Sequence, residues 1–287
     1  MARLAYVNGA YKPIDRAGVN VEDRGYQFAD GVYEVCLVVD GQWWDIEGHL
    51  ARLWRSLEAL SIKAPVSEPA LKQILAKLVR LNRVKSALVY LQVTRGSAPR
   101  NHPFPDEAAP ALVATARPFD FRKIDAQARK GVSIITQPDI RWARVDIKSI
   151  SLLPNVLAKQ AARREGAVEA MLHRDGVVTE GASSNMWIVN KNGALVTHPL
   201  GCEILGGITR RTTIECARDL QIKVEERAFT IDEALAADEV FLTSATNLVT
   251  PVIRINNHKV ANGQPGPISL RLRDAYIDLN KNDAKVL

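Results

Sequence analysis

The stretch "VDIKSISLLPNVLAKQAARREGA", residues 145–167, holds one residue that its neighbours do not explain. From Asn155 onward it reads as a helix. Val156, Leu157, Ala161 and Ala162 cluster as its apolar face, and Lys159, Arg163, Arg164 and Glu165 are available to solvent. Lys148 comes earlier, between Ile147 and the run Ser149-Ile150-Ser151-Leu152-Leu153. One reading is a lysine that buries its stem and extends its amine to water. The other is a desolvated amine used as a nucleophile, because burial disfavours the ammonium form.

Working outward, the 287 residues suggest about two domains. Hydrophobic residues make up 47% and charged residues 24%, a globular composition. No apolar run approaches the roughly 20 residues of a membrane helix. The opening "MARLAYVNGAYKPIDRAG" has no apolar core of a secretory signal. Cys36, Cys202 and Cys216 are scattered and odd in number, without metal-ligand spacing. This speaks against a disulfide framework or a metal site and for a reducing cytoplasm. The net charge of +6 is not gathered into a block; Arg163-Arg164 and Arg210-Arg211 are its densest helical clusters. A solvated basic surface accounts for it, and no nucleic-acid motif is present.

Asn8-Gly9 and Asp40-Gly41 predict hairpins, as Asp175-Gly176 and Asn192-Gly193 do later in the chain. Leu50, Leu53, Trp54, Leu57 and Leu60 recur at helical spacing, and a second helix opens after Ser67. Segment 120–131, "DFRKIDAQARKG", is charged and lacks an apolar period, so it reads as a linker. Thr230 and Glu233 form a capping-box pattern. The expected organisation is an α+β protein with mixed sheets: a small domain over 1–119, the linker at 120–131, and a larger domain over 132–287.

Three further segments bear on Lys148. "TEGASSN", 179–185, sets Glu180 before a tight turn of small residues. It is either an ordinary surface turn or a carboxylate able to hold a proton on a ring nitrogen. "GGITRRTT", 206–213, is either a plain strand-to-helix connection or a helix N-terminus that binds an anion, with Thr209 adding a hydroxyl. "TSATN", 243–247, offers a second such turn. Taken together, an amine for an aldehyde, a carboxylate for a pyridine nitrogen and a helix N-terminus for a phosphate describe pyridoxal 5'-phosphate.

With those residues in view, the chain resembles the class IV (fold type IV) pyridoxal-phosphate aminotransferases from "VNGAY" to "VTPV", and most closely the D-amino-acid aminotransferases. The resemblance implies a two-domain fold type IV enzyme. It makes Lys148 the Schiff-base lysine and proton carrier, and Glu180 the partner of the ring nitrogen with Ser183 and Ser184 nearby. Leu205 would pack on the ring. Ile208 and Thr209 would contact the phosphate, and Arg52 of "HLARL" would bind it from the small domain. Where the family usually has a threonine this chain has Ala245, with Ser244 and Thr246 as substitutes. "GVYEV", 31–35, and "RGSAPRNHPFP", 95–105, resemble the D-amino-acid enzymes. There Tyr33, Arg100 and His102 would hold the substrate α-carboxylate, a role a guanidinium suits well.

The implied reaction is ping-pong transamination between a D-amino acid and an α-keto acid, 2-oxoglutarate or pyruvate, in a cytoplasmic homodimer. Aminodeoxychorismate lyase and branched-chain or (R)-amine transaminase activity are alternatives on the same fold. An idle cofactor-binding protein is the non-enzymatic alternative.

Overall fold

A computed structural model of the protein describes residues 3–282 and the short strand at 285–286. The chain divides into two compact units. One comprises Met1–Asp120 with Ile147–Ser151 and the Lys285–Val286 strand; the other comprises Phe121–Asp146 and Leu152–Asp283. This differs from the expected division at two places. Lys148 belongs with the first unit, and segment 120–131 is not a linker: Phe121–Lys130 is a helix of the second unit. Its apolar stripe is narrow, Phe121, Ile124 and the fully buried Ala128, which is why charge hides the period. An Asp125–Arg129 pair one turn apart supports it.

Among the described residues the first unit carries a seven-stranded sheet. Gly31–Val39, Ala87–Thr94 and Ala111–Pro118 form its antiparallel centre. Period-two alternation sends Val32, Cys36, Val38, Val89, Leu91, Val93, Leu112 and Ala114 into the core. They pack against Leu50, Leu53 and Leu57 of helix Ile46–Ala59 and Leu71, Leu75 and Leu78 of helix Glu68–Leu81. The opposite parity, with Tyr33, Val35, Tyr90 and Gln92, is only half-buried. The Asn8-Gly9 and Asp40-Gly41 turns have positive φ at both positions, as type I′ hairpins require.

The second unit carries a larger mixed sheet. Parallel pairs of Val132–Pro138 with Glu169–Arg174 and with Leu248–Ile255 join antiparallel hairpins. Helix Leu153–Arg164 lies on it by only part of the expected face: Ala161 and Ala162 pack there, Val156 and Leu157 do not. Ala158 and Ala162 are buried against Ile135, Ala170, Leu172 and Ala182. Val156 and Leu157 are 57% and 55% exposed, and Leu153 is 70% exposed. Small residues one turn apart let the helix sit close to the sheet, so the bulky residues stand outward. The Thr230–Glu233 capping box is formed at both of its bonds.

Candidate active site

The expected site residues fall into two groups, one in each unit. In the first unit, residues 147–151 attach to the start of the Gly31–Val39 strand. Tyr33 N donates to Lys148 O at 3.0 Å, Ile150 N donates to Gly31 O at 3.0 Å, and Ser149 bridges Val32. Ile147 and Ser149 are each 5% exposed, whereas the Lys148 side chain turns to the half-buried parity. Its amine lies 4.2 Å from the centre of the Tyr33 ring. The apolar neighbours of Lys148 are thus the anchors that hold its backbone. The amine itself rests on an aromatic face.

Tyr33 also meets Tyr90 ring to ring at 5.8 Å. Burial, followed by the Tyr33 phenol, pushes the Tyr90 hydroxyl up to about 12. That hydroxyl donates to Gln92 Oε1 at 2.6 Å.

Arg52 is buried on the inward face of helix Ile46–Ala59, where it bonds Glu34 through Nε at 2.7 Å and Nη2 at 2.8 Å. His49 Nδ1 is 2.7 Å from the same carboxylate. Burial pushes the Glu34 carboxyl up, but the Arg52 charge and the Arg52 and His49 hydrogen bonds outweigh it and hold it far below the ordinary range. Sequence reasoning did not single out Glu34 or His49. The signal was there: Glu34 occupies a core parity between Val32 and Cys36, where an unpaired charge is untenable.

Arg100 and His102 are both exposed, on the loop that follows Ala87–Thr94. The structure brings these two together around Phe28. The Arg100 guanidinium lies 4.6 Å from that ring's centre, and the His102 ring is 5.4 Å away. Tyr33, the third expected carboxylate ligand, keeps the different company of Lys148 and Tyr90.

In the second unit Glu180 is 4% exposed and ion-paired to Arg141 Nη1. Its other oxygen accepts from Asn185 Nδ2 at 2.9 Å and from Leu205 N at 3.1 Å. Arg141 is itself fixed by two 2.8 Å bonds to Asp139. Burial raises the Asp139 carboxyl, but the Arg141 bonds prevail and hold it below its usual value. Arg141, Asp139 and Asn185 were not expected, and no periodic signal marks them, since Asp139 and Arg141 lie in an irregular connection.

Ser183 N, Ser183 Oγ and Ser184 Oγ all donate to the buried Glu169, at 3.2, 2.7 and 3.1 Å. The two hydroxyls therefore shape the turn from inside.

Helix Ile208–Asp219 starts at Gly207 without a side-chain cap. Helical geometry leaves its first N–H groups, Ile208 and Thr209 among them, without partners inside the helix. A Cβ at Gly207 would lie 2.0 Å from Asn185 Oδ1 and would displace the side chain that steadies Glu180. Ser244 Oγ and Thr246 Oγ1 stand 3.3 Å apart on either side of Ala245, with Ser244 Oγ also accepting from Asn247 N. Arg273 underpins this turn by donating to Asn247 O at 3.0 Å and Val249 O at 2.6 Å.

Residues 31–255 match the family model described as amino-transferase class IV. The chain belongs to the class IV aminotransferases. A D-alanine aminotransferase of Bacillus licheniformis is 43% identical over 268 residues, 93% of this chain and 94% of the relative. One from Staphylococcus aureus (strain MSSA476) is 41% identical over 94% of this chain and 95% of its own length. Among solved structures, a branched-chain aminotransferase from the thermophilic archaeon Thermoproteus uzoniensis, with norvaline, shares the fold at a TM-score of 0.87. It is 26% identical, with 98% of this chain and 96% of that one covered. The α+β, fold type IV expectation holds.

Class IV aminotransferases use pyridoxal 5'-phosphate. The second unit fits that group on three counts: a fixed carboxylate at Glu180, an uncapped helix N-terminus behind a glycine packed closely on the Asn185 side chain, and two hydroxyls around Ala245.

Proposed function

We propose that this protein moves an amino group between a D-amino acid, D-alanine foremost, and an α-keto acid such as 2-oxoglutarate or pyruvate. The observation that carries the reading is similarity to D-alanine aminotransferases at 41–43% identity over more than nine-tenths of the chain. The branched-chain enzyme shares the fold at only 26% identity.

When bound, pyridoxal 5'-phosphate supplies an aldehyde that captures amines and a pyridinium ring that draws off electron density. Lys148 is its anchor through Nζ. With the cofactor bound, the same Nζ would take the α-proton of the D-amino acid and carry it onward. Glu180, ion-paired to Arg141, keeps a proton on the ring nitrogen. Leu205 covers the ring. The N–H groups of Ile208 and Thr209 serve the phosphate together with Ser244, Thr246 and Arg52, while Ser183 and Ser184 hold the turn beside Glu180. Tyr33, Arg100 and His102 take the substrate carboxylate and so select the D arrangement. The keto acid returns by the same route.

The working form is a homodimer, and the exposed Leu153, Val156 and Leu157 face suits burial in it. A reducing cytoplasm suits the free Cys36, Cys202 and Cys216.

The test is spectroscopic. The visible absorbance of the cofactor-loaded protein bleaches with D-alanine and not with L-alanine. Borohydride fixes the cofactor to Lys148, and Lys148→Ala abolishes turnover. A general base alone accounts for about 10²–10⁴-fold in rate. Preference for L-leucine or L-valine, or an adduct on another lysine, overturns the reading.

A further inference from the structure

The loop that carries Arg100 and His102 has an exposed tip: residues 99–104 are all solvent-facing. An exposed loop cannot by itself hold two cationic side chains in register for a substrate. Its root is fixed by Asp23, whose carboxylate accepts from Gly25 N at 2.8 Å and Thr94 Oγ1 at 3.0 Å and whose backbone bridges Ser97. At Gly96, φ is +98° and a Cβ would lie 1.9 Å from Ala109 O, so the turn into the loop requires glycine.

Further out, buried arginines reach the tip, and the Arg95 guanidinium lies 3.5 Å from the centre of the Phe104 ring. Arg24, with its side chain 4% exposed, donates Nη1 to Asn101 O at 2.6 Å and Nη2 to His102 O at 3.1 Å. Its Nε is spent on Asp30 at 2.8 Å. Asp30 is in turn clamped by Arg95, at 2.8 and 3.0 Å, and Arg95 is tied to Ser61 O and Leu60 O. The Arg24 guanidinium also lies 4.8 Å from the centre of Phe28, the ring that Arg100 and His102 share. A buried cation is therefore used to grip two backbone carbonyls on a surface loop. Those carbonyls belong to the residues flanking and including the carboxylate ligands.

We propose that Arg24 is the positioning residue of the carboxylate-binding loop. Through its fork on Asn101 O and His102 O it sets Arg100 and His102 against Phe28, where they meet the α-carboxylate of the substrate. This rests on the proposed carboxylate role of Arg100 and His102. Asp30 orients Arg24, and Arg95 orients Asp30. Lysine cannot replace Arg24 fully, because a point ammonium lacks the planar fork that spans two carbonyls and a carboxylate together.

The experiment compares Arg24→Met, Arg24→Lys and Arg100→Leu in the full-length, cofactor-loaded enzyme. Each is assayed with D-alanine and with an (R)-amine that has no carboxylate. Limited trypsin digestion then follows cleavage after Arg100 by mass spectrometry. In Arg24→Met, KM for D-alanine rises on the order of 10-fold, the low end of the range for a lost hydrogen bond to a charged group. Turnover at saturation and (R)-amine kinetics stay near wild type, and cleavage after Arg100 accelerates. Arg24→Lys lies between, and it carries the test if Arg24→Met does not fold. A raised KM in Arg100→Leu with wild-type KM and cleavage in the Arg24 variants overturns this assignment alone. A wild-type KM in Arg100→Leu overturns the carboxylate reading, and this assignment with it.

Discussion

Glu34 with Arg52 in the first unit and Glu180 with Arg141 in the second are the same two residue types in buried pairs, the first joined through Nε and Nη2 and the second through Nη1. Their surroundings differ. Glu34 is wholly enclosed and accepts from Arg52 twice and from His49 once. It is the holder, and it takes two of the five N–H donors a guanidinium carries. In the second unit the holder is the arginine. Arg141 is locked by two bonds to Asp139 and presents Nη1 to Glu180, whose other oxygen is steadied by Asn185 and the Leu205 backbone. In the first pair the carboxylate anchors the cation, and in the second the cation anchors the carboxylate.

Removing the holder in the first unit should give the largest effect. Glu34→Gln leaves Arg52 and His49 buried without their counter-charge, and breaking a buried pair from one side costs about 3–5 kcal/mol. The sign with pH follows from the depressed folded value. The contribution of Glu34 is fully present above its ordinary 4.5 and fades as pH falls below that toward the folded value. The gap between wild type and Glu34→Gln in urea denaturation is therefore widest at pH 7 and narrows by pH 3. An equal gap at both pH values shows that Glu34 does not act through its charge, and the comparison breaks.

The sequence declares some of this and conceals the rest for physical reasons. The Asn8-Gly9 and Asp40-Gly41 turns, the helix at Ile46–Ala59 and the Thr230 capping box are legible because each is set by local sterics or a fixed period. At Leu153–Arg164 the pattern is half right: Ala161 and Ala162 face the sheet as expected, but hydrophobicity also nominates Val156 and Leu157 where close packing takes Ala158. Helix Phe121–Lys130 is hidden because its buried side, Phe121, Ile124 and Ala128, is short and set among charged residues. Lys148 and Glu180 stand out by chemistry and family pattern. Their supports do not, because Ser56, which accepts from Lys148 N, and Arg141, which holds Glu180, are remote in sequence from what they serve.

In the second unit the held partner is the one to change. Glu180→Gln keeps a hydrogen-bonding group of the same shape but removes the charge proposed to hold a proton on the ring nitrogen. Turnover should fall about 10²–10³-fold, the scale of one preorganised electrostatic group at a reacting centre. Cofactor affinity, read by titrating visible absorbance, should change much less. The two glutamates then separate cleanly, Glu34→Gln losing stability and Glu180→Gln losing rate. A Glu180→Gln enzyme that unfolds readily yet turns over normally would make both pairs structural.

A third buried arginine sharpens the comparison by lacking so well enclosed a partner. Arg273 is fully buried, and its carboxylate partner, Asp125, has a side chain 26% exposed. Burial lowers the Arg273 value and the Asp125 bond does not restore it, whereas Glu34 raises Arg52 and the Asp139 and Glu180 partners raise Arg141. What Arg273 does hold is backbone: Asn247 O and Val249 O, at the end of the Ser244–Thr246 turn. Its positioning force thus comes from two carbonyls more than from Asp125. Asp125→Asn should cost about 1.5–3 kcal/mol, the range for a hydrogen bond to a charged group and less than Glu34→Gln, with little change in turnover. Urea midpoints and kcat on the same preparation decide it. A drop in kcat rivalling that of Glu180→Gln would mean that the Ser244–Thr246 turn depends on the Asp125–Arg273 ion pair. Arg273 would then join Arg141 as an arginine whose orientation is set by a carboxylate behind it.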